Sequence, residues 1–190
     1  MKTLARKDQI RLKAQMLFRE RGYSATSMRD LADELGIEAA SLYNHISSKE
    51  EILQGICFGM AESFFAAVEP VTLSALDPKA KLQSALEAHL RVIAENSDAS
   101  AVFLHEWRHL GEPFLSDFKL MRRRYEKLFV TLVEEGIARD SFKKMDARVV
   151  ARTILSATNW TFESQKTSKS DGDATIQQIA ELLVEGLIRR

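Results

Sequence analysis

Five consecutive residues near the middle of the chain, His105-Glu106-Trp107-Arg108-His109, have the types and spacing of a zinc-hydrolase site. Side chains four residues apart share one face of a helix, so His105 and His109 can grip a single metal ion while Glu106 acts as base for a bound water. The segment is predicted to be helical, from roughly Asp98 to Leu110, so its context permits this chemistry. Catalysis also needs a third protein ligand and an open coordination position. No glycine and histidine follow at the offsets that supply one, and neither Glu126 nor Glu134 is singled out. A zinc-dependent hydrolase using residues 105–109 therefore stands as the alternative function. Against it is the plainer reading, in which the two histidines cap a pocket or meet solvent. The other reactive types fare worse. Cys57 is the single cysteine and has no basic neighbour to activate it, so it reads as a buried structural thiol. There is no glycine-rich phosphate loop, and Glu134-Glu135 reads as a solvated pair at a helix end. No catalytic set, cofactor or metal is expected.

A stronger pattern lies between Thr26 and Lys49, which reads as two short helices joined by a tight turn. Ala32 is small enough to let the second helix cross the first closely. Gly36 sits where the chain leaves the first helix, a position that favours a left-handed conformation. Leu42 returns the second helix to the apolar pocket of Leu31, Leu35 and Ile37. Such a pair is a helix-turn-helix. Thr26 or Ser27 is its N-cap. Ser47 stands three residues before Glu50, a capping box that starts another helix at about Ser48. Lys49 then lies in a first turn, where free backbone N–H groups and an ammonium suit a phosphate.

This pattern, with the helix before it, resembles the DNA-binding domain of the tetracycline-repressor (TetR) family of bacterial regulators. The likeness covers about the first fifty-five residues. It is carried by Leu17, Phe18, Gly22, Tyr23, Thr26, Ser27, Ala32, Gly36, Leu42, Tyr43, His45 and Lys49. It implies that Tyr43, His45 and Lys49 fix phosphates, with Thr26, Ser27, Arg29, Ala40, Ser41 and Asn44 as candidates for groove contact. Glu38 departs from the family, which often has a small polar cap there. It can still cap, but it places an acid beside the DNA.

The later half is rich in aromatic residues, most of them core. An apolar cavity between helices is also where a bundle binds a small molecule. Phe64, Phe103, Trp107, Met121, Arg122, Tyr125 and Trp160, with the polar His89, Asn159 and Glu163, are the candidate effector-binding set, and a filled core is the alternative. The Glu106-Trp107 step, the run at 121–125 and Asn159-Trp160 loosely resemble TetR-like regulators that sense acyl-CoA thioesters. Ser164 and Gln165 stand where that group continues with a Trp-Tyr pair, which weakens the inference. Arg122, Arg123 and Arg124 point about 100° apart on a helix, so one or two at most can serve one ligand.

Around these sites the chain reads as all-α. It has 190 residues, three prolines, eight glycines and a formal net charge of zero, which excludes a binder driven by overall basic charge. The basic residues Lys2, Arg6, Lys7, Arg11 and Lys13 are local to the leading segment. The lone cysteine fits a reducing compartment, and the absence of a leader or an apolar run near 18 residues fits a cytoplasmic protein with no membrane partner. Residues 1–47 are expected to form a three-helix DNA-binding domain, and 48–190 a helical effector-binding and dimerisation domain. Helix four, about 48–69, connects them and stops before Pro70. Gly55 and Gly59 inside it mark close packing of a neighbour or a pivot. Further helices are predicted over about 78–96, 98–110, from Pro113 to Glu135 with Gly136 as the stop, 146–165 and 174–188. The last is apolar on more than one face, which suits a partner subunit. The resemblance agrees: such proteins dimerise through their last two helices, setting two recognition helices on half-sites of a near-palindromic double-stranded DNA operator. The expected function is a ligand-responsive repressor, released when an effector tilts helix four and changes that separation.

Overall fold

The structure is a computed structural model that describes residues 5–161 and 172–189. Helices account for nearly all of its regular structure. In chain order they are α1 (Arg6–Arg21), α2 (Met28–Glu34), α3 (Ala39–Tyr43), α4 (Lys49–Thr72), α5 (Pro78–Glu95), α6 (Ser97–His105), α7 (Phe114–Ala138), α8 (Ala147–Asn159) and α9 (Gly172–Glu185). A short 3-10 turn, Trp107–His109, follows α6. The one extended pairing among the described residues is an isolated antiparallel bridge between Phe142 and Ile188.

Several boundaries depart from the sequence reading, each for a local reason. Pro70 does not stop α4, which runs on to Thr72. The proline is exposed and two residues from the helix end, so its missing N–H forfeits one bond where the helix would fray anyway. Gly136 does not stop α7 either, because that helix continues to Ala138. The glycine is there for space: a Cβ on it would lie 2.0 Å from the ring of Phe142. The predicted helix over 98–110 is interrupted, since α6 ends at His105. The described part of α8 ends at Asn159, and the rest of the predicted span to Gln165 falls mostly outside the described residues.

The residues form two compact units. One holds Met1–Met60 with Asp98–Lys119, the other Ala61–Ser97 with Leu120–Arg190. In the first, Ile10, Ala14, Leu17 and Phe18 from α1 are buried, as are Leu31, Ala32, Leu42 and Ile46 from the helix-turn-helix and Ile52, Leu53 and Ile56 from α4. Asp98–Lys119 is tied to that bundle by named contacts. Arg19 pairs with Asp98 at 2.5 Å, the ring of His109 stacks on Tyr23 at 5.3 Å, and Glu50 accepts the Gly111 N–H at 2.8 Å. Phe118 gathers Phe58, Phe103 and Trp107 at centroid distances of 5.7, 5.4 and 5.9 Å. The second unit is built on Val68, Leu82, Leu86, Phe129, Val133, Phe142, Ile154 and Val184. Its α9 lies along α5. A partly buried ion pair, Lys81 to Glu135 at 3.0 Å, joins α5 to α7.

A helix-turn-helix face and a buried polar chain

The turn between α2 and α3 has the geometry its sequence called for. Gly36 takes φ 64°, a conformation that a side chain would strain. Its N–H donates to Asp33 O at 3.1 Å and the Ile37 N–H to Ala32 O at 3.0 Å, closing the helix in a Schellman motif. Ala32, Leu31 and Leu42 are buried at the crossing. Ser27 is the N-cap of α2: its Oγ accepts the Asp30 N–H at 3.1 Å, and the Asp30 carboxylate takes the Ser27 N–H at 2.7 Å. The Ser27 hydroxyl, which also donates to that carboxylate, and the Ser27 N–H hold the Asp30 carboxyl below the usual range.

The structure sorts the DNA-binding candidates into exposed and spent. Arg29, Ala40, Tyr43, Asn44 and His45 are exposed, with Ser41 half-buried. Thr26 is buried and its hydroxyl donates to Gly22 O at 2.9 Å, so it locks the entry turn. Lys49 donates to the carbonyls of Tyr23 and Thr26, each at 2.8 Å, and its ammonium sits 4.2 Å from the centroid of the Tyr23 ring. The charge expected at a phosphate is tied down within the bundle.

The capping arrangement at α4 is shifted by one residue from expectation. Ser48 Oγ accepts the Glu51 N–H at 3.0 Å, while the Glu51 carboxylate takes the Ser47 N–H at 2.8 Å. The Lys7 ammonium and the two Ser47 donors push the Glu51 carboxyl down to about 2. Glu50, the expected partner of Ser47, is thereby left for Gly111. Glu38 does not cap α3 with its side chain.

The zinc reading of 105–109 loses its helix. His105 is the last residue of α6 and His109 lies in the separate 3-10 turn, so one continuous helical face no longer carries both. His109 Nε2 approaches the Glu106 carboxylate at 3.4 Å, which occupies the supposed base. Among the described residues no group of three or more His, Cys, Asp or Glu is placed to hold a metal ion.

Four effector candidates, Phe64, His89, Tyr125 and Asn159, are brought together in the second unit. Tyr125 and His89 Nδ1 are 2.9 Å apart, and His89 Nε2 is 3.2 Å from Asn159 Oδ1. An amide oxygen can only accept, so Nε2 carries the imidazole proton and Nδ1 accepts from the Tyr125 hydroxyl. The Phe64 ring stacks on His89 at 4.8 Å, and Phe129 meets Tyr125 edge-on at 5.5 Å. Burial keeps His89 neutral, pushing its pKa down to about 4 against the opposing effect of the hydrogen bond it donates to Asn159, and burial also raises Tyr125 well above 10. This is a polar chain of Tyr, His and Asn in apolar surroundings. It runs from buried His89 to half-exposed Asn159. Met121 and Arg122 are half-buried on α7, and Trp160 is 56% exposed just after α8. Phe103 and Trp107 belong instead to the aromatic cluster of the first unit. Glu163 lies outside the described residues. The sequence reading missed the Glu50–Gly111 bond, the Glu51 cap and the docking of His109 on Tyr23, none of which has a local signature.

Comparison with known proteins gives both parts of the chain the same affiliation. Residues 10–56 match the family described as "Bacterial regulatory proteins, tetR family", and residues 75–189 match "Tetracyclin repressor-like, C-terminal domain". The repressor KstR2 of Rhodococcus jostii is 29% identical over 182 residues, covering 92% of this chain and 87% of its own length. The structure of the ketosteroid transcriptional regulator KstR2 of Mycobacterium tuberculosis superposes with a TM-score of 0.92 at 25% identity, covering 100% of this chain and 98% of that one. The TetR-family regulator PfmR of Thermus thermophilus gives 0.84 at 32% identity over 96% and 100%. With its helix-turn-helix and its C-terminal region both matched, the chain belongs to the TetR family of transcriptional regulators, and it is a DNA-binding regulator, not an enzyme.

Proposed function

We propose that this chain is a repressor that binds a near-palindromic DNA operator as a homodimer and leaves it when a small, largely apolar effector binds. The observation that carries the DNA side is the free face of α2 and α3. Arg29, Tyr43, Asn44 and His45 are exposed there beside a tightly closed turn, with Ser27 holding the start of α2. A recognition helix this short presents its few side chains to base edges, with Arg29 of α2 beside them at the groove, while Tyr43 and His45 reach phosphates.

Homodimerisation through α8 and α9 is supported by apolar side chains that those helices leave bare. Val149 is 58% exposed and Leu182 74%. Exposed apolar area of this kind marks an interface. The operator partner puts the site of action in the cytoplasm.

The effector region is the polar chain of His89, Tyr125 and Asn159 within the Phe64 and Phe129 rings. Apolar walls with a few convergent polar groups are the usual make-up of a small-molecule site. That the similar protein KstR2 is a ketosteroid transcriptional regulator is in keeping with an apolar effector body. An acyl-CoA is the finer candidate: Arg123 and Arg124 are exposed on α7, where they can meet phosphate groups. Release follows if the effector favours one tilt of α4 over another, since a ligand with equal affinity for both shifts nothing.

Fluorescence anisotropy on duplexes from the chain's own upstream region tests this reading. Binding is expected in salt near physiological strength, and a medium-chain acyl-CoA, but not free coenzyme A, is expected to release it. No binding sinks the regulator reading, and binding that no acyl-CoA disturbs sinks the acyl-CoA assignment.

A further inference from the structure

Glu38 is the one acid that the structure leaves unspent at the start of the recognition helix. It takes φ −69° and ψ 142° just ahead of α3, and its backbone carbonyl accepts the Ser41 and Leu42 N–H groups. Its side chain is exposed, makes no capping bond, and has no hydrogen-bond or ion-pair partner among the described residues. Of the acids on α2, Asp30 is held by Ser27 and Glu34 is paired with Lys13 at 3.0 Å, while Asp33 is exposed like Glu38 but lies on α2 and not ahead of α3. No lysine or arginine occurs between Asp30 and Ser48, so no nearby cation in the sequence offsets the Glu38 charge.

The helix it precedes carries little else that can read a base. Ala39, Ala40 and Leu42 offer no hydrogen-bonding side chain, Ser41 is short, Tyr43 is assigned to phosphate, and Asn44, at the far end of the helix, is the other side chain that can read a base. A bare carboxylate brought to the polyanion is repelled unless it finds a donor. Carboxylates accept and never donate. In the major groove, guanine shows acceptors and thymine an acceptor and a methyl group, leaving cytosine N4 and adenine N6 as donors. Adenine sets its N7 lone pair beside N6, which repels the second carboxylate oxygen. Cytosine has no acceptor flanking N4 on that edge. Resting on the DNA-binding reading above, we propose that Glu38 is a specificity-determining residue that accepts a hydrogen bond from a cytosine N4 amino group in each operator half-site.

Exchanging the group should exchange the base. Glutamine both donates and accepts, which matches adenine N6 and N7. Selection from a randomised duplex pool with the full-length wild type should enrich a palindrome holding one invariant cytosine per half-site. Glu38→Gln should move that position to adenine, and Glu38→Ala should leave it open, with the remaining positions unchanged. Anisotropy on the selected duplex should show about tenfold discrimination for cytosine in the wild type, lost in Glu38→Ala. Thermal unfolding should be unaltered, because the side chain bonds to nothing in the fold. The same consensus from all three proteins, or uniformly tighter binding by Glu38→Ala, reduces Glu38 to a surface charge and overturns the proposal. A wild type that enriches no sequence overturns the DNA-binding reading itself, a distinct outcome.

Discussion

Lys49 and His89 show how one side chain's partners decide what its type can do. Lys49 holds the carbonyls of Tyr23 and Thr26, which gives it a role within the fold. Lys49→Met should therefore lower stability by about 1–3 kcal/mol, the usual result of leaving buried acceptors unmatched, and thermal unfolding reads it. The slope of log affinity for operator against log salt should stay unchanged. A slope shallower by about two in the dimer, with no loss of stability, would instead mean a phosphate contact in each subunit. The sequence placed Lys49 correctly at a helix start, but its partners lie on a loop more than twenty residues away, beyond any local pattern. His89 is the pH-sensitive residue. Its folded pKa, about 4, lies below the ordinary 6.5, so between those values the unfolded chain binds the extra proton. Stability from this group is full above pH 6.5 and is lost as pH falls toward 4, by about 3 kcal/mol. His89→Leu should remove that loss. Urea unfolding at pH 7 and pH 4.5 on both proteins compares the two, and equal pH dependence would refute the buried-neutral assignment.

At the level of the helices, glycine and proline proved poor markers of where an element ends, because their reasons were tertiary. Gly136 admits the Phe142 ring, so Gly136→Ala should destabilise by roughly 1–3 kcal/mol even though alanine is the better helix former. A stabilised variant would contradict the packing. Gly59 is the opposite case, with nothing within 4 Å of a Cβ built on it. Close packing does not account for that glycine, and Gly59→Ala should stabilise α4 by about 0.5–1 kcal/mol. At Gly55 the neighbour is the flexible guanidinium of Arg11, 3.3 Å from such a Cβ. If α4 pivots at these positions, the double alanine variant will need more effector for release. An unchanged effector titration would remove the pivot. The apolar spacing of α1 and the turn around Gly36 were legible in the sequence, since both are fixed by residues close along the chain. The break after α6 was not, because docking of the 3-10 turn on Tyr23 decides it.

For the molecule as a whole, the all-helical fold and the helix-turn-helix could be read from composition and motif, whereas the grouping of the helices could not. The proposed dimer rests on side chains such as Leu182 and Val149. Leu182→Glu combined with Val149→Glu should halve the mass seen by sedimentation equilibrium and abolish operator binding. An intact dimer would move the interface elsewhere. The polar chain through His89 was foreseen as a set of residues and not as a chain, because α5, α7 and α8 each contribute one member. Finally, Asp98–Lys119 belongs to the same compact unit as the first sixty residues. The DNA-reading head is thus sewn from two separated lengths of polypeptide. A fragment cut after α4 would lose Asp98, Gly111 and Phe118 from beneath Arg19, Glu50 and Phe58, and a chimaera that transplants the head must carry both lengths or it will inherit an unfinished one.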